Sequence, residues 1–178
     1  LFALNLDADF LAETGAGLGS DVPFFCRGPL SVVSGRGEIV VPCASPRRMP
    51  LVLVLPAFSV STAKAYRWLD ETKRKMSFSL NEEELALRYG IPAREWGFTN
   101  SFSVVLEKRF PQITDILIGL NKYGAEYAGV SGSGSSIFGI FSDAHSAKEA
   151  AAALRRENGL KQVLIIETLD RFPISILQ

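Results

Sequence analysis

The sequence predicts an α+β fold, in which a small piece at residues 1–48 precedes a ferredoxin-like α/β sandwich at residues 49–178. Three observations carry this prediction. Leu51-Val52-Leu53-Val54-Leu55-Pro56 is a continuous apolar run, as expected of a central strand. Residues 128–141 set a loop of glycine and serine between a short strand and an alternating one. Residues 146–157 form an amphipathic, alanine-rich pattern and lead into a last strand over 162–169. From Leu51 the order is strand, helix, several helices, strand–loop–strand, helix, strand. That order suits an antiparallel sheet with its helices on one side.

Residues 1–18 predict two short helical pieces broken near Asp7-Ala8-Asp9, the second ended by Gly15. Leu1-Phe2-Ala3-Leu4-Asn5-Leu6 reads like the middle of a buried helix with nothing before it to cap it. The chain is therefore expected to be the carboxyl-terminal part of something longer. In Leu18-Gly19-Ser20-Asp21-Val22-Pro23-Phe24-Phe25, Gly19 allows a tight turn, and Pro23 fixes its own φ and biases Val22 away from the α region. Phe24 and Phe25 are expected to anchor this turn in apolar packing. Strands at 29–34 and 38–42 flank Gly35-Arg36-Gly37, a hairpin turn read as carrying no chemistry.

Residues 44–50, polar and with two prolines, form the linker. After the strand at 51–56, Ser61 or Thr62 caps a helix, and Tyr66 lies four residues beyond Thr62 on the same side. Arg67, Lys73, Arg74 and Lys75 read as a solvated face. Residues 77–98 look polar and irregular, with a helical pattern over Asn81-Glu82-Glu83-Glu84-Leu85-Ala86-Leu87. One helix begins at Thr99-Asn100-Ser101-Phe102 and runs through Phe110, and Pro111 opens another to about Tyr123. Asn100 is either a helix cap or a polar group aimed into a cleft. His145 falls in a cap region.

Composition excludes several classes of function. Lys and Arg number 19 and Asp and Glu 19, so no global field draws in nucleic acid or an anionic membrane. No apolar run reaches the roughly 18 residues of a membrane span. Cys26 and Cys43 are far apart, without a Cys-x-x-Cys, and the chain has one His. A metal site and a disulfide framework are not expected, and buried free thiols in a reducing, cytoplasmic setting are the expectation. Without a second His or a nucleophile partner, hydrolase triads are set aside.

Two stretches carry chemistry. Asp21 sits on a stiffened turn close to a helix start, which is how a general base is held. The same position also suits a plain helix cap. In Ser131-Gly132-Ser133-Gly134-Ser135-Ser136, glycines let amide groups converge on an anion, and serines add donors. The bland reading of this loop is a flexible linker or a tight turn. Apolar strand residues on both sides leave little slack for a linker.

Three segments, Leu18 to Phe25, Val60-Ser61-Thr62-Ala63-Lys64-Ala65-Tyr66 and Ser131 to Phe138, together resemble the GHMP superfamily of small-molecule kinases. Gly35-Arg36-Gly37-Glu38 also resembles the family's turn at that place. The likeness runs in order over nearly the whole chain, and the segment around Asp21 is similar to the branch that acts on a cytidine-linked methylerythritol. The resemblance implies a GHMP kinase fold. Residues 1–48 would be the remnant of a ribosomal-protein-S5-like catalytic and ATP-binding domain, and 49–178 its substrate-binding, ferredoxin-like domain. It implies transfer of phosphate from ATP, accompanied by Mg²⁺, to the 2-hydroxyl of 4-diphosphocytidyl-2-C-methyl-D-erythritol (CDP-methylerythritol), on the non-mevalonate route to isoprenoid precursors.

In that scheme Asp21 is the base for the accepting hydroxyl. Tyr66 stacks on the cytosine with Thr62 nearby, and Ser131, Gly132, Ser133, Gly134 and Ser135 lie beside the phosphates. The chain departs from the family pattern twice. Ser101 follows Asn100 where the family carries an acidic residue. The family's early segment, with a lysine supporting the catalytic Asp and a glycine-rich ATP loop, is not in this sequence, so these 178 residues alone are expected not to turn over. Two other readings remain: a GHMP kinase acting on homoserine or mevalonate, against which Tyr66 argues, and a non-catalytic nucleotide-binding domain.

Overall fold

The computed structural model describes residues 6–43, 47–72, 82–157 and 159–171. The expected helical start at Leu1–Asn5, the middle of the linker at 44–46, the cations Lys73, Arg74 and Lys75 and the segment 77–81 lie outside the described residues. The described residues form two compact units. One is drawn from the spans Leu1–Arg48, Leu80–Leu87 and Leu169–Gln178, the other from Met49–Ser79 and Arg88–Thr168.

In the first unit, α1 (Ala8–Ala16) and α2 (Val22–Arg27) accompany a two-stranded antiparallel sheet of β1 (Ser31–Ser34) and β2 (Ile39–Pro42). Asp7-Ala8-Asp9 does not break a helix; it starts one. The Asp7 carboxylate accepts the Phe10 amide at 2.8 Å, satisfying one of the amides that a helix start leaves bare. Gly15 lies inside α1, which continues to Ala16. Arg27 on α2 pairs with Asp9 on α1 at 2.9 Å. The hairpin pairs Ser34 with Ile39, and the Gly37 amide closes the turn on the Ser34 carbonyl.

The second unit is a four-stranded antiparallel sheet in the order β4-β5-β3-β6, made of β3 (Pro50–Pro56), β4 (Tyr127–Val130), β5 (Ile137–Ile140) and β6 (Leu160–Glu167). With α3 (Thr62–Glu71), α5 (Ser103–Arg109), α6 (Pro111–Lys122) and α7 (Ala144–Leu154), this is the strand–helix–strand–strand–helix–strand sandwich of the ferredoxin kind, with extra helices in its first crossover. The apolar run at 51–56 is a central strand because β5 and β6 pair on either side of it. Its alternate residues Val52 and Val54 are wholly buried against the helices. Each contributes about 1.5–3 kcal/mol by leaving water.

Helix spacing explains which helices meet that face. Ile113, Ile116 and Leu120 stand at i, i+3 and i+7 on α6, and Ala147, Ala150, Ala151 and Leu154 repeat the stripe on α7. The alanines let α7 approach the sheet closely. At its start the Asp143 carboxylate accepts the Ser146 amide and the hydroxyls of Ser146 and Ser142, which hold it down to about 2 from its ordinary 3.8. His145 lies within the first turn of α7 rather than ahead of it.

The stretch 82–98 is more ordered than its polar composition suggests. It holds α4 (Glu82–Gly90) and a 3-10 turn at Ala93–Glu95. Trp96, only 4% exposed, packs with Met49, Ala93 and Ile140 as a second small core, and its indole donates to the Ile91 carbonyl at 3.0 Å. Met49 belongs to this core, so the linker is shorter than residues 44–50 imply.

Candidate active site

In the first unit the site is built around the turn between α1 and α2. The Val22 amide closes it on the Gly19 carbonyl at 3.1 Å, and Pro23 occupies the first turn of α2, where its missing N–H costs nothing. Pro23 is the buried anchor of the segment. Phe24 and Phe25 stand edge to face at 5.3 Å; Phe24 is half-buried, while Phe25 is 58% exposed. Both rings, with Ser20, Asp21, Val33 and Gly37, line an open pocket of about 280 Å³. Asp21 precedes α2 at the cap position, yet its side chain makes no capping hydrogen bond to that helix. Asp21 is exposed and lines a largely apolar pocket, a placement open to a proton-accepting role.

Gly37 is a site residue that the sequence alone did not single out for chemistry. Its φ is +119°, and a Cβ added there would sit 2.6 Å from the Ser20 carbonyl oxygen. The hairpin turn thus touches the backbone of the residue just before Asp21. Only glycine allows that approach.

In the second unit the Gly/Ser loop joins β4 to β5. Its ends are tied by the Ser131 amide donating to the Ser136 carbonyl at 2.9 Å, and the Gly134 amide donates to the Ser131 carbonyl at 3.0 Å. Two of the amides expected to serve an anion are thereby spent within the loop. The turn needs glycine at 132 and 134, whose φ values are +53° and +77°. Four hydrogen bonds hold the loop and its entrance in place. Asn100 Nδ2 donates to the carbonyls of Val130 at 2.7 Å and Gly132 at 2.8 Å. Ser135 Oγ donates to the Phe58 carbonyl at 2.9 Å. Thr62 Oγ1 and Ser133 Oγ are hydrogen-bonded at 3.0 Å.

That last contact brings together two of the predicted site residues, Thr62 at the start of α3 and Ser133 at the loop. Ser61 holds the cap position of α3 but makes no capping bond, and the hydroxyl of Thr62 turns to the loop instead. One turn further along α3, Tyr66 is 55% exposed and rests edge-on against Phe102 at 5.0 Å. One side of its ring is supported and much of the rest is open. Asn100 is neither a cap of α5 nor a free polar group. Its Oδ1 accepts the Phe102 amide at 2.8 Å while its Nδ2 holds the loop. Tyr127, behind the loop in β4, donates to the Phe98 carbonyl at 3.1 Å, and burial pushes its hydroxyl pKa up. Among the described residues, no group of three or more His, Cys, Asp or Glu side chains is assembled that could hold a metal ion. No helix of the described residues is long and apolar enough to cross a membrane.

Residues 84–160 match the family model described as GHMP kinases C terminal. Over 155 residues the chain is 36% identical to the 4-diphosphocytidyl-2-C-methyl-D-erythritol kinase of Thermodesulfovibrio yellowstonii, covering 84% of this chain and 54% of that protein. Its fold matches a crystal structure of 4-(cytidine 5'-diphospho)-2C-methyl-D-erythritol kinase with a TM-score of 0.72 and 28% identity, over 93% of this chain and 58% of that one. A mevalonate kinase from L. major bound to R-mevalonate shares the fold alone, with a TM-score of 0.62 at 15% identity over 96% of this chain and 61% of that one. The chain spans about half the length of the curated relatives it matches.

Proposed function

We propose that this chain, whose residues 84–160 match the family model of GHMP kinases C terminal, is part of a small-molecule kinase transferring the terminal phosphate of ATP to the 2-hydroxyl of CDP-methylerythritol. Asp21 accepts the proton of that hydroxyl as its oxygen attacks phosphorus. Tyr66 stacks on the cytosine ring, Thr62 and Ser133 meet the phosphate end of a bound nucleotide, and Ser131, Gly132, Gly134 and Ser135 shape the loop around it. Mg²⁺, when bound with ATP, would supply charge neutralisation to the reaction, as is usual for an ion that keeps much of its water and takes few protein ligands. The reaction asks little covalent chemistry of the protein, so one base and a set of placed donors suffice. The protein works in the cytoplasm, where both substrates are at hand and free Cys26 and Cys43 stay reduced.

One observation carries this reading: the hydroxyls of Thr62 and Ser133 meet at 3.0 Å, with a half-exposed aromatic ring one helical turn away. A base shelf beside a polar tip fits a nucleotide, here the cytidine diphosphate part of the proposed acceptor. The test is Tyr66→Ala in the full-length protein, titrated with CDP by calorimetry. Base stacking on an aromatic is worth about 1–3 kcal/mol, so affinity should fall roughly 5- to 150-fold. Unchanged CDP affinity in the variant, or full turnover with homoserine in place of CDP-methylerythritol, refutes the assignment.

A further inference from the structure

We infer that Asn100 is a positioning residue that sets the spacing between the base shelf and the phosphate loop, so that the site selects a ligand carrying both a base and a phosphate. The inference rests on the proposed nucleotide reading of Tyr66 and the Gly/Ser loop. It is carried by how one side chain divides its bonds. Asn100 Nδ2 gives its two hydrogens to the carbonyls of Val130 and Gly132, at the entrance of the loop. Oδ1 accepts from the Phe102 amide, and the Phe102 ring is the edge-on support of Tyr66.

No other residue type meets those demands as well. An amide of this length offers two donors and an acceptor at once, and here all three sites are used. Aspartate offers acceptors only, and serine has a single hydrogen to give. The loop's remaining anchors, from Ser135 to the Phe58 carbonyl and from Thr62 to Ser133, hold its far side and its tip. Asn100 is the one described side chain bonded both to the loop and to the backbone of the shelf. Thr62 and Tyr66, four apart on α3, carry their Cβ atoms about 5–6 Å apart on one side of the helix, so tip and shelf face the same way.

Asn100→Asp separates the two halves of this role. The carboxylate keeps an acceptor for the Phe102 amide but faces the Val130 and Gly132 carbonyls with no hydrogen to donate. The shelf should therefore stay while the loop is released. The experiment compares cytidine and CDP binding by calorimetry, in the full-length protein and its Asn100→Asp and Asn100→Ala forms, with circular dichroism to select folded samples. Hydrogen bonds to a charged group support about a tenfold or larger gain of CDP over cytidine in the parent.

In Asn100→Asp that gain should shrink to about twofold or less, with cytidine affinity kept within about twofold. Asn100→Ala, which also loses the bond to Phe102, should weaken cytidine as well. If CDP keeps its advantage in both variants, the inference is overturned while the nucleotide site stands. Cytidine and CDP falling in equal proportion in Asn100→Asp also overturns it, because the residue then acts only on general structure. A parent protein that binds neither cytidine nor CDP brings down the nucleotide reading itself, and the inference with it.

Discussion

Asp21→Asn in the full-length protein is expected to lower kcat by about 10²- to 10⁴-fold, the range by which a placed general base contributes, with KM for both substrates within a few-fold of the parent. The substitution keeps the size and shape of the side chain and removes its basicity. It also discriminates sharply between the two roles this position allows. Asparagine caps a helix about as well as aspartate does, so a pure cap would leave both turnover and melting temperature unchanged. The geometry already leans against the cap, because Asp21 occupies that position before α2 without bonding to it. Steady-state kinetics beside a thermal melt read both quantities. Full turnover in the variant removes Asp21 from the mechanism.

The second large effect is expected at Gly37, in a hairpin turn that has no chemistry of its own. At φ +119° a side chain is strained, at a cost of about 1–3 kcal/mol, and the new Cβ would sit 2.6 Å from the Ser20 carbonyl oxygen. That oxygen belongs to backbone and cannot swing aside, so the Ser20–Asp21 segment must move. A displacement near 1 Å at a catalytic group costs about 100-fold in rate. Gly37→Ala should therefore cut kcat/KM by that order while leaving the CDP affinity of the second unit within about twofold. The contrasting result, parental turnover with a lowered melting temperature alone, would show that the turn supports the fold and not the placement of Asp21.

These positions show where a sequence is informative and where it is not. Local chemistry was readable: the run at 51–56 is a central strand, and the apolar stripes of α6 and α7 meet the sheet as their period requires. The Gly/Ser segment is a tight connection between paired strands and not a linker, because Val130 and Ile137 pair directly across it. Errors arose where two local signals compete. Asp7-Ala8-Asp9 looked like an interruption, but a leading aspartate is also a helix start, and its bond to the Phe10 amide decides the matter. Two adjacent phenylalanines give one signal, yet Phe24 is half-buried and Phe25 is left mostly exposed in the pocket wall beside the buried Pro23.

What stayed hidden depends on contacts between distant residues. Asn100 meets carbonyls 30 and 32 positions away, and Gly37 meets Ser20 across the turn. No period or spacing encodes such pairings. A polar residue of intermediate burial with all its hydrogen-bonding capacity used is visible only once the chain is folded.

The most direct measurement is where the phosphate goes. Full-length protein incubated with ATP, Mg²⁺ and CDP-methylerythritol should yield ADP and one new phosphate monoester, assigned by phosphorus NMR to the 2-oxygen of the methylerythritol unit. A product phosphorylated at any other oxygen, or ADP formed with no new monoester, would contradict the account of Asp21 as the base serving that hydroxyl.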